Sequence, residues 1–279
     1  MAGLSACGEI TRVNDPDRYL CALFAPPRER EALFAILAFN HEIAKTREVV
    51  SETMLGQIRL QWWREAIDGI LAGTPRQHEV VLSLAEVFEA FSLERGAFDA
   101  ILDAREADLE DAPFQTNDDL ISYARGTAGA LSRITLRIQG VSDASTMMAG
   151  EAVATAWALT GLLRSTPFLA RYKRLMLPRD LLGAHGARIG DYHELRDCAE
   201  WRAVVEVIVG IARDYLSRGN KQTNVGFKEA APVLLQARLA RLYLDRLERG
   251  DFNPFDPGVN AEMPLKSWAL WWASVRRLV

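Results

Sequence analysis

Apolar residues recur at three- and four-residue spacing along almost the whole chain, the period of a helix that buries one face. After Pro27 the register runs through Leu33, Ile36, Leu37, Asn40, Ile43 and Ala44, and Leu60, Trp63, Ile67 and Ile70 repeat it within Gln57–Leu71. Boundary chemistry marks the ends. Asp15 stands as a cap before Pro16 at a first helical position. Gly73-Thr74-Pro75 closes the Gln57–Leu71 helix, and Thr116-Asn117-Asp118-Asp119 has the form of a capping box ahead of Leu120–Ile138. Gly140 and Gly250 mark helix stops. Further helices are predicted over Val80–Leu93, Arg95–Leu109, Ser145–Arg164, Trp201–Arg218, Pro232–Arg249 and Pro264–Val279. No segment has the alternation of a strand pair, so the expectation is an all-α chain of about ten or eleven helices.

A length of 279 residues allows one large domain or two ordinary ones. Nothing resembling a linker, a low-complexity block or a fixed-period repeat divides it. One domain over residues 1–279 is therefore expected, with residues 1–13 flexible and 264–279 forming a C-terminal amphipathic helix. Lys and Arg total 33 against 37 Asp and Glu, a net charge of −4, which speaks against nucleic acid as a partner. Cys7, Cys21 and Cys198 are too few and too widely spaced for a disulfide framework or a zinc set. The first fifteen residues hold one arginine and no long apolar core, unlike a secretory signal or transit peptide. The longest apolar runs fall short of the ~20 residues that cross a bilayer. The expectation is a cytoplasmic protein in a reducing compartment, at most peripheral at the inner membrane.

Two stretches carry a specific likeness. Leu159–Leu182 reads LTGLLRSTPFLARYKRLMLPRDLL, which resembles, without a gap, the second aspartate-rich motif of the squalene/phytoene synthase family, L-T-N-I-L-R-D-x-x-E-D followed by a basic spacer and I-Y-L-P-x-D. Leu159, Thr160, Leu163, Arg164, Arg171, Arg174, Leu177, Pro178 and Asp180 keep the pattern. Gly161 stands at the asparagine, Ser165 at the first aspartate, and Phe168 and Leu169 at the acidic pair. Upstream, Ala32–Glu48, ALFAILAFNHEIAKTRE, resembles the family's first motif helix, and Ala44, Lys45 and Glu48 fall at its three aspartate positions. The likeness extends from Tyr19 to about Phe255. It includes Arg59–Ile70, Ala104–Leu109 and Tyr123–Gly129.

This resemblance implies an isoprenoid synthase-type helical bundle around a central cavity. Within the family the chain is most similar to the divergent branch that contains the mitochondrial respiratory complex I assembly factor. Blocks at Asn40–Ala44, Leu163–Pro167 and Asp251–Phe255 carry that likeness. The family's chemistry needs carboxylates to hold Mg²⁺, a hard cation that takes near-octahedral oxygen ligands and clamps the departing diphosphate. An ammonium at Lys45 would oppose it. At ~5 Å and an effective dielectric of ~20, the repulsion is roughly 6 kcal/mol. Pro167 is expected to kink or break the turn that presents the second motif.

Other groups are weighed against plainer roles. Lys45, Arg47, Arg164, Arg171, Lys173 and Arg174 would surround the diphosphate end of the cavity as a metal-free anion site. The favoured reading is a solvated loop at Arg171–Arg174 and a Lys45 paired with Glu42 or Glu48. Asp108 and Asp111, with Asp103 nearby, are the tempting replacement metal ligands, but acids before Pro113 at a helix end are expected to be solvated. His41, His78, His185 and His193 have no paired spacing that makes a general base. The segment Pro264–Val279 is a basic, tryptophan-rich helix suited to a membrane interface or a partner's groove. Packing on the bundle is favoured for it.

The sequence thus points to a degenerate member of the family, without catalytic residues, metal or cofactor, that acts as an assembly or chaperone-like factor for respiratory complex I subunits. One alternative is a working prenyl transferase that condenses allylic diphosphates with Mg²⁺. Another is a non-enzymatic carrier of an isoprenoid or quinone.

Overall fold

The computed structural model describes residues 3–50, 52–221 and 226–277, and among them the chain is helical with no strand. The first half carries α1 (Ala6–Asn14), α2 (Pro16–Ala22), α3 (Pro27–Ala44), α4 (Thr46–Val49), α5 (Thr53–Leu71), α6 (Glu79–Ala90) and α7 (Arg95–Arg105). A 3₁₀ turn over Glu106–Leu109 leads to α8 (Asn117–Ala124), and a π-helical turn over Arg125–Gly129 joins α8 to α9 (Ala130–Ile138). The second half carries α10 (Ala144–Arg171), α11 (Arg179–His185), α12 (Ile189–His193), α13 (Ala199–Lys221), α14 (Phe227–Leu234) and α15 (Gln236–Arg249). Pro257–Asn260 forms another 3₁₀ turn before α16 (Lys266–Arg276).

The local signals act as expected at several ends. Asp15 accepts from the Arg18 amide with Pro16 in the first turn, and Thr116 and Asp119 form a reciprocal capping box. Within residues 1–13, expected to be flexible, the stretch from Ala6 onward forms α1, which lies on α3. The Ser5 hydroxyl accepts from the Gly8 amide, Cys7, Gly8 and Thr11 are buried, and the Thr11 hydroxyl donates to the Phe34 carbonyl at 3.3 Å. A Cβ on Gly8 would sit 3.1 Å from the Phe34 ring, so the missing side chain lets the two helices meet.

The core divides into two apolar clusters. One surrounds α3, with Phe34, Phe39, Trp63, Phe98 and Ile134; the other surrounds α10, with Trp157, Leu159, Trp201, Ile208 and Leu244. Both central helices are apolar nearly all round, as a helix enclosed on every side must be. Helix α9 stands between them. Its Leu131 and Ile134 belong to the first cluster and its Leu136 to the second. Where the clusters meet, Leu33, Leu37, Leu131, Ser132, Thr135, Ala154 and Gln236 line a void of about 20 Å³, room for about one water. The hydroxyls there stay satisfied within their own helices: Ser132 donates to Gly129 at 2.7 Å and Thr135 to Leu131 at 3.0 Å.

Helix α10 runs without a break through Pro167, contrary to the expected interruption. Proline removes the amide that would serve the Leu163 carbonyl. One residue back, the Ser165 and Thr166 hydroxyls both donate to the Leu162 carbonyl, at 2.9 and 3.2 Å. Thr166, Leu169 and Ala170 are buried, and that packing offsets the local penalty. Among the described residues no helix is long and apolar enough to cross a membrane.

Helix α13 lies along α10 at close range around Gly219, where a Cβ would come within 2.8 Å of Val153 Cγ2 and 3.4 Å of the Ala149 carbonyl oxygen. Gly219→Leu is expected to lower stability by about 1–3 kcal/mol through overpacking. The midpoint of urea unfolding measures it, and an unchanged midpoint would refute the close approach.

Candidate functional site

The first motif helix ends at Ala44, where its apolar register ends and four residues short of the Ala32–Glu48 stretch that resembles the family's helix. Lys45 adopts φ −75° and ψ 0°, so α3 stops at Ala44 and α4 starts afresh at Thr46. Ala44 and Glu48 therefore do not share one continuous helix face. Ala44 and Lys45 are half-buried and Glu48 is exposed. Lys45 pairs with Glu42, one of the two partners expected for it. Arg59 holds the other Glu42 oxygen at 2.8 Å. Burial and the adjacent Lys45 charge depress the pKa of His41 below its ordinary value. His78 serves instead as a helix cap, its Nδ1 accepting from the Val80 amide at 3.2 Å at the start of α6.

In the second motif, Gly161, Ser165 and Phe168 fall at four- and three-residue spacing on one side of α10. A Cβ at Gly161 would meet nothing within 4 Å, the Ser165 hydroxyl is bound to the Leu162 carbonyl, and Phe168 is exposed. Phe168 packs against Tyr172 with ring centroids 4.7 Å apart. Leu169, at the last acidic position, is core.

The six basic residues weighed as one anion site serve separate surroundings. Arg171 and Lys173 are exposed, as expected for a solvated loop, with Lys173 in a left-handed conformation at φ 56°. Arg174 departs from that expectation. It turns inward and donates to the Asp108 carbonyl at 2.8 Å. Arg47 reaches Asp111 at 3.1 Å, which brings Arg47 and Arg174 to the same 108–111 stretch. Arg164 belongs elsewhere: it donates to Asp17 at 3.3 Å, exchanges hydrogen bonds with Asn260, and covers the Tyr243 ring at 3.5 Å.

Asp108 and Asp111 are not equivalent. The Asp108 side chain is 8% exposed and that of Asp111 72%. Tyr123 donates its hydroxyl hydrogen to Asp108 Oδ1 at 2.7 Å, and Arg105 donates to Oδ2 at 3.0 Å, to the Tyr123 oxygen at 2.8 Å and to Asn40 Oδ1 at 3.1 Å. Burial opposes the Arg105 charge, but the facing Tyr123 and Asp108 oxygens outweigh it and raise the pKa. The solvation expected before Pro113 is thus correct for Asp111 and wrong for Asp108, because a nearby guanidinium and phenol replace the water that burial removes. Sequence reasoning misses Arg105, Tyr123 and Asn40. A signal exists for the first, since Arg105 lies four residues after Ile101 and three after Leu102, on the buried face of α7.

A second buried carboxylate, Asp17, reads in the sequence only as part of a helix start. Tyr243 donates to its Oδ2 at 2.8 Å, Lys266 pairs with its Oδ1, and Arg164 approaches from α10. Four helices meet at this one side chain.

These residues do not fit a Mg²⁺–diphosphate clamp, which asks for several free oxygens around one open point. Ala44 supplies no oxygen, Lys45 supplies a cation, the Asp108 oxygens are occupied by Arg105 and Tyr123, and Glu48 and Asp111 are exposed. Among the described residues no group of three or more His, Cys, Asp or Glu side chains is placed to hold a metal ion.

Comparison with known proteins gives these positions a context. A family model described as squalene/phytoene synthase matches residues 11–269. The "NADH dehydrogenase (ubiquinone) complex I, assembly factor 6" of Bos taurus is 29% identical over 269 residues, spanning 95% of this chain and 81% of that protein. The crystal structure of squalene synthase HpnC from Alicyclobacillus acidocaldarius matches with a TM-score of 0.78 at 21% identity, covering 89% of this chain and 94% of that one. A dehydrosqualene synthase in complex with ligand matches at 0.84 and 18% identity, covering 98% and 95%. At such identities these structures speak for the fold alone, and the expected isoprenoid synthase-type bundle is the one observed.

The unequal burial of the two aspartates yields a testable contrast. Asp108→Asn leaves the buried Arg105 without its counter-charge and is expected to cost about 3–5 kcal/mol. Asp111→Asn breaks only an exposed pair and is expected to cost less than about 1 kcal/mol. Thermal unfolding of both variants reads the difference, and equal shifts would contradict the assigned roles.

Proposed function

Since this chain belongs to the squalene/phytoene synthase family, we propose that it has kept the family's fold, lost its Mg²⁺-dependent diphosphate reaction and acts as an assembly factor for respiratory complex I. The supporting observation is the state of the acidic groups. Each buried carboxylate near the motif helices, Glu42, Asp17 and Asp108, is engaged by the protein's own cations rather than directed together at an open point. A diphosphate leaving group gains nothing from carboxylates already neutralised in this way. The overall likeness to a protein whose name is that of a complex I assembly factor supports the second half of the reading. Its partners on this view are complex I subunits, and its place is the cytoplasmic side of the membrane that holds them.

A quinone or isoprenoid carrier is not favoured at the meeting of the two clusters, where the void of about 20 Å³ admits a water and not a prenyl chain; the cleft of about 510 Å³ lined by Leu55, Ile58, Trp62 and Trp63 is a separate one. For a working prenyl transferase, the acids would have to exchange Arg105, Tyr123 and Lys45 for a metal, and parting Asp108 from Arg105 would leave the buried guanidinium without its counter-charge.

Two measurements test the proposal. Titration of the purified protein with a farnesyl diphosphate analogue is expected to show no binding that requires Mg²⁺, and incubation with farnesyl diphosphate and Mg²⁺ no condensed product. Deletion of the gene in its own host is expected to deplete assembled complex I on native gels, with rescue by the intact chain. Mg²⁺-dependent binding with turnover would overturn the loss of reaction; unaltered complex I would overturn the assembly role.

A further inference from the structure

The C-terminal helix departs from the expectation that its tryptophans pack on the bundle. Only Leu270 and Ala273 of α16 are buried. Leu265 just before the helix, and Trp268, Trp271, Trp272 and Val275 within it, are 71, 57, 52, 39 and 58% exposed. At about 100° per residue these five cover an arc of about 120°, on the side opposite Leu270 and Ala273. The helix thus carries two apolar stripes, a narrow one packed on the bundle and a wider one facing water.

The outer stripe is ordered. Trp268 and Trp272 stack with centroids 5.7 Å apart and planes 11° from parallel, and the Arg276 guanidinium lies over the Trp272 ring at 4.7 Å. The base of the helix is pinned, because Lys266 pairs with Asp17 and donates to the Tyr243 hydroxyl at 3.1 Å. Pro264–Arg277 carries Lys266, Arg276 and Arg277 and no acid, in a chain whose net charge is −4.

We propose that α16 is a peripheral membrane anchor, which lays its tryptophan stripe in the interfacial layer of a bilayer bearing anionic lipid headgroups and sets Arg276 and Arg277 against their phosphates. Two features favour this occupant. Indole rings combine a large apolar surface with an N–H and settle at the headgroup boundary. The arginines at the end of the stripe match a negative surface, and no acid stands among residues 264–277 to oppose it. With eleven residues, α16 is about 16 Å long, too short to span the hydrocarbon core, and so it lies in the plane. The anchor is independent of whether the chain assembles complex I.

The test is co-sedimentation of the full-length chain with phosphatidylcholine vesicles, with and without phosphatidylglycerol, at low and high salt. Tryptophan emission is followed in parallel. Expected is binding to the anionic vesicles with a blue shift, weaker by about tenfold on the neutral ones and in high salt. The combined variant Trp268→Ser, Trp271→Ser and Trp272→Ser should abolish binding, and Arg276→Glu with Arg277→Glu should reduce it by at least about tenfold. Both variants change exposed side chains, and an unaltered unfolding temperature verifies that the fold is kept. Absence of vesicle binding overturns the proposal, as does binding that both variants retain. So does a wild-type dimer that the tryptophan variant dissolves while neither protein binds vesicles, which would assign the stripe to contact between copies.

Discussion

A carboxylate enclosed in a helical bundle must find a cation and a hydrogen-bond donor, and this fold meets that demand twice with the same kinds of group. Asp108 takes the Tyr123 hydroxyl and the Arg105 guanidinium; Asp17 takes the Tyr243 hydroxyl, the Lys266 ammonium and the Arg164 guanidinium. The first centre ties α7 and α8 to Asn40 of α3, and, through Arg174, to the stretch of chain that follows α10. The second ties α2, α10, α15 and α16. Either carboxylate left alone would carry a desolvation penalty of several kcal/mol, so the surrounding helices hold their positions together.

The two centres bear on function because both touch the helices that carry the aspartate-rich motifs in the family. Asn40 lies on the first motif helix and Arg164 on the second. Where a synthase would direct acids outward at a metal, this chain directs cations inward at acids. The motif turn is reshaped as well. A single residue, Lys45, with ψ near zero ends α3 and separates Ala44 from Glu48. The loss of metal binding that we propose would thus rest on side-chain chemistry together with backbone course.

Beside these enclosed centres, large apolar groups stand at the surface. Phe168 and Tyr172 stand exposed at the end of α10, and the tryptophans of α16 face water. Both lie one or two turns along from residues of the Asp17 centre, Arg164 and Lys266. Apolar side chains presented in this way at the surface are suited to contact with other molecules.

Local features were legible in the sequence: the helical period, the Asp15–Pro16 and Thr116–Asp119 ends, and the residues standing at each motif position. These depend on backbone hydrogen bonds and side-chain direction over one or two turns, and such forces leave a short-range pattern. What only the tertiary structure decided depends on partners far away in the chain. Lys266 and Asp17 are 249 residues apart. Asp108 reads as a solvated helix-end acid until Tyr123 and Arg105 close on it, and Pro167 reads as a break until the buried Thr166, Leu169 and Ala170 hold the turn. The two stripes of α16 have the same period and both are apolar. Which one meets the bundle is settled by the Lys266–Asp17 pair, an interaction that no local pattern records.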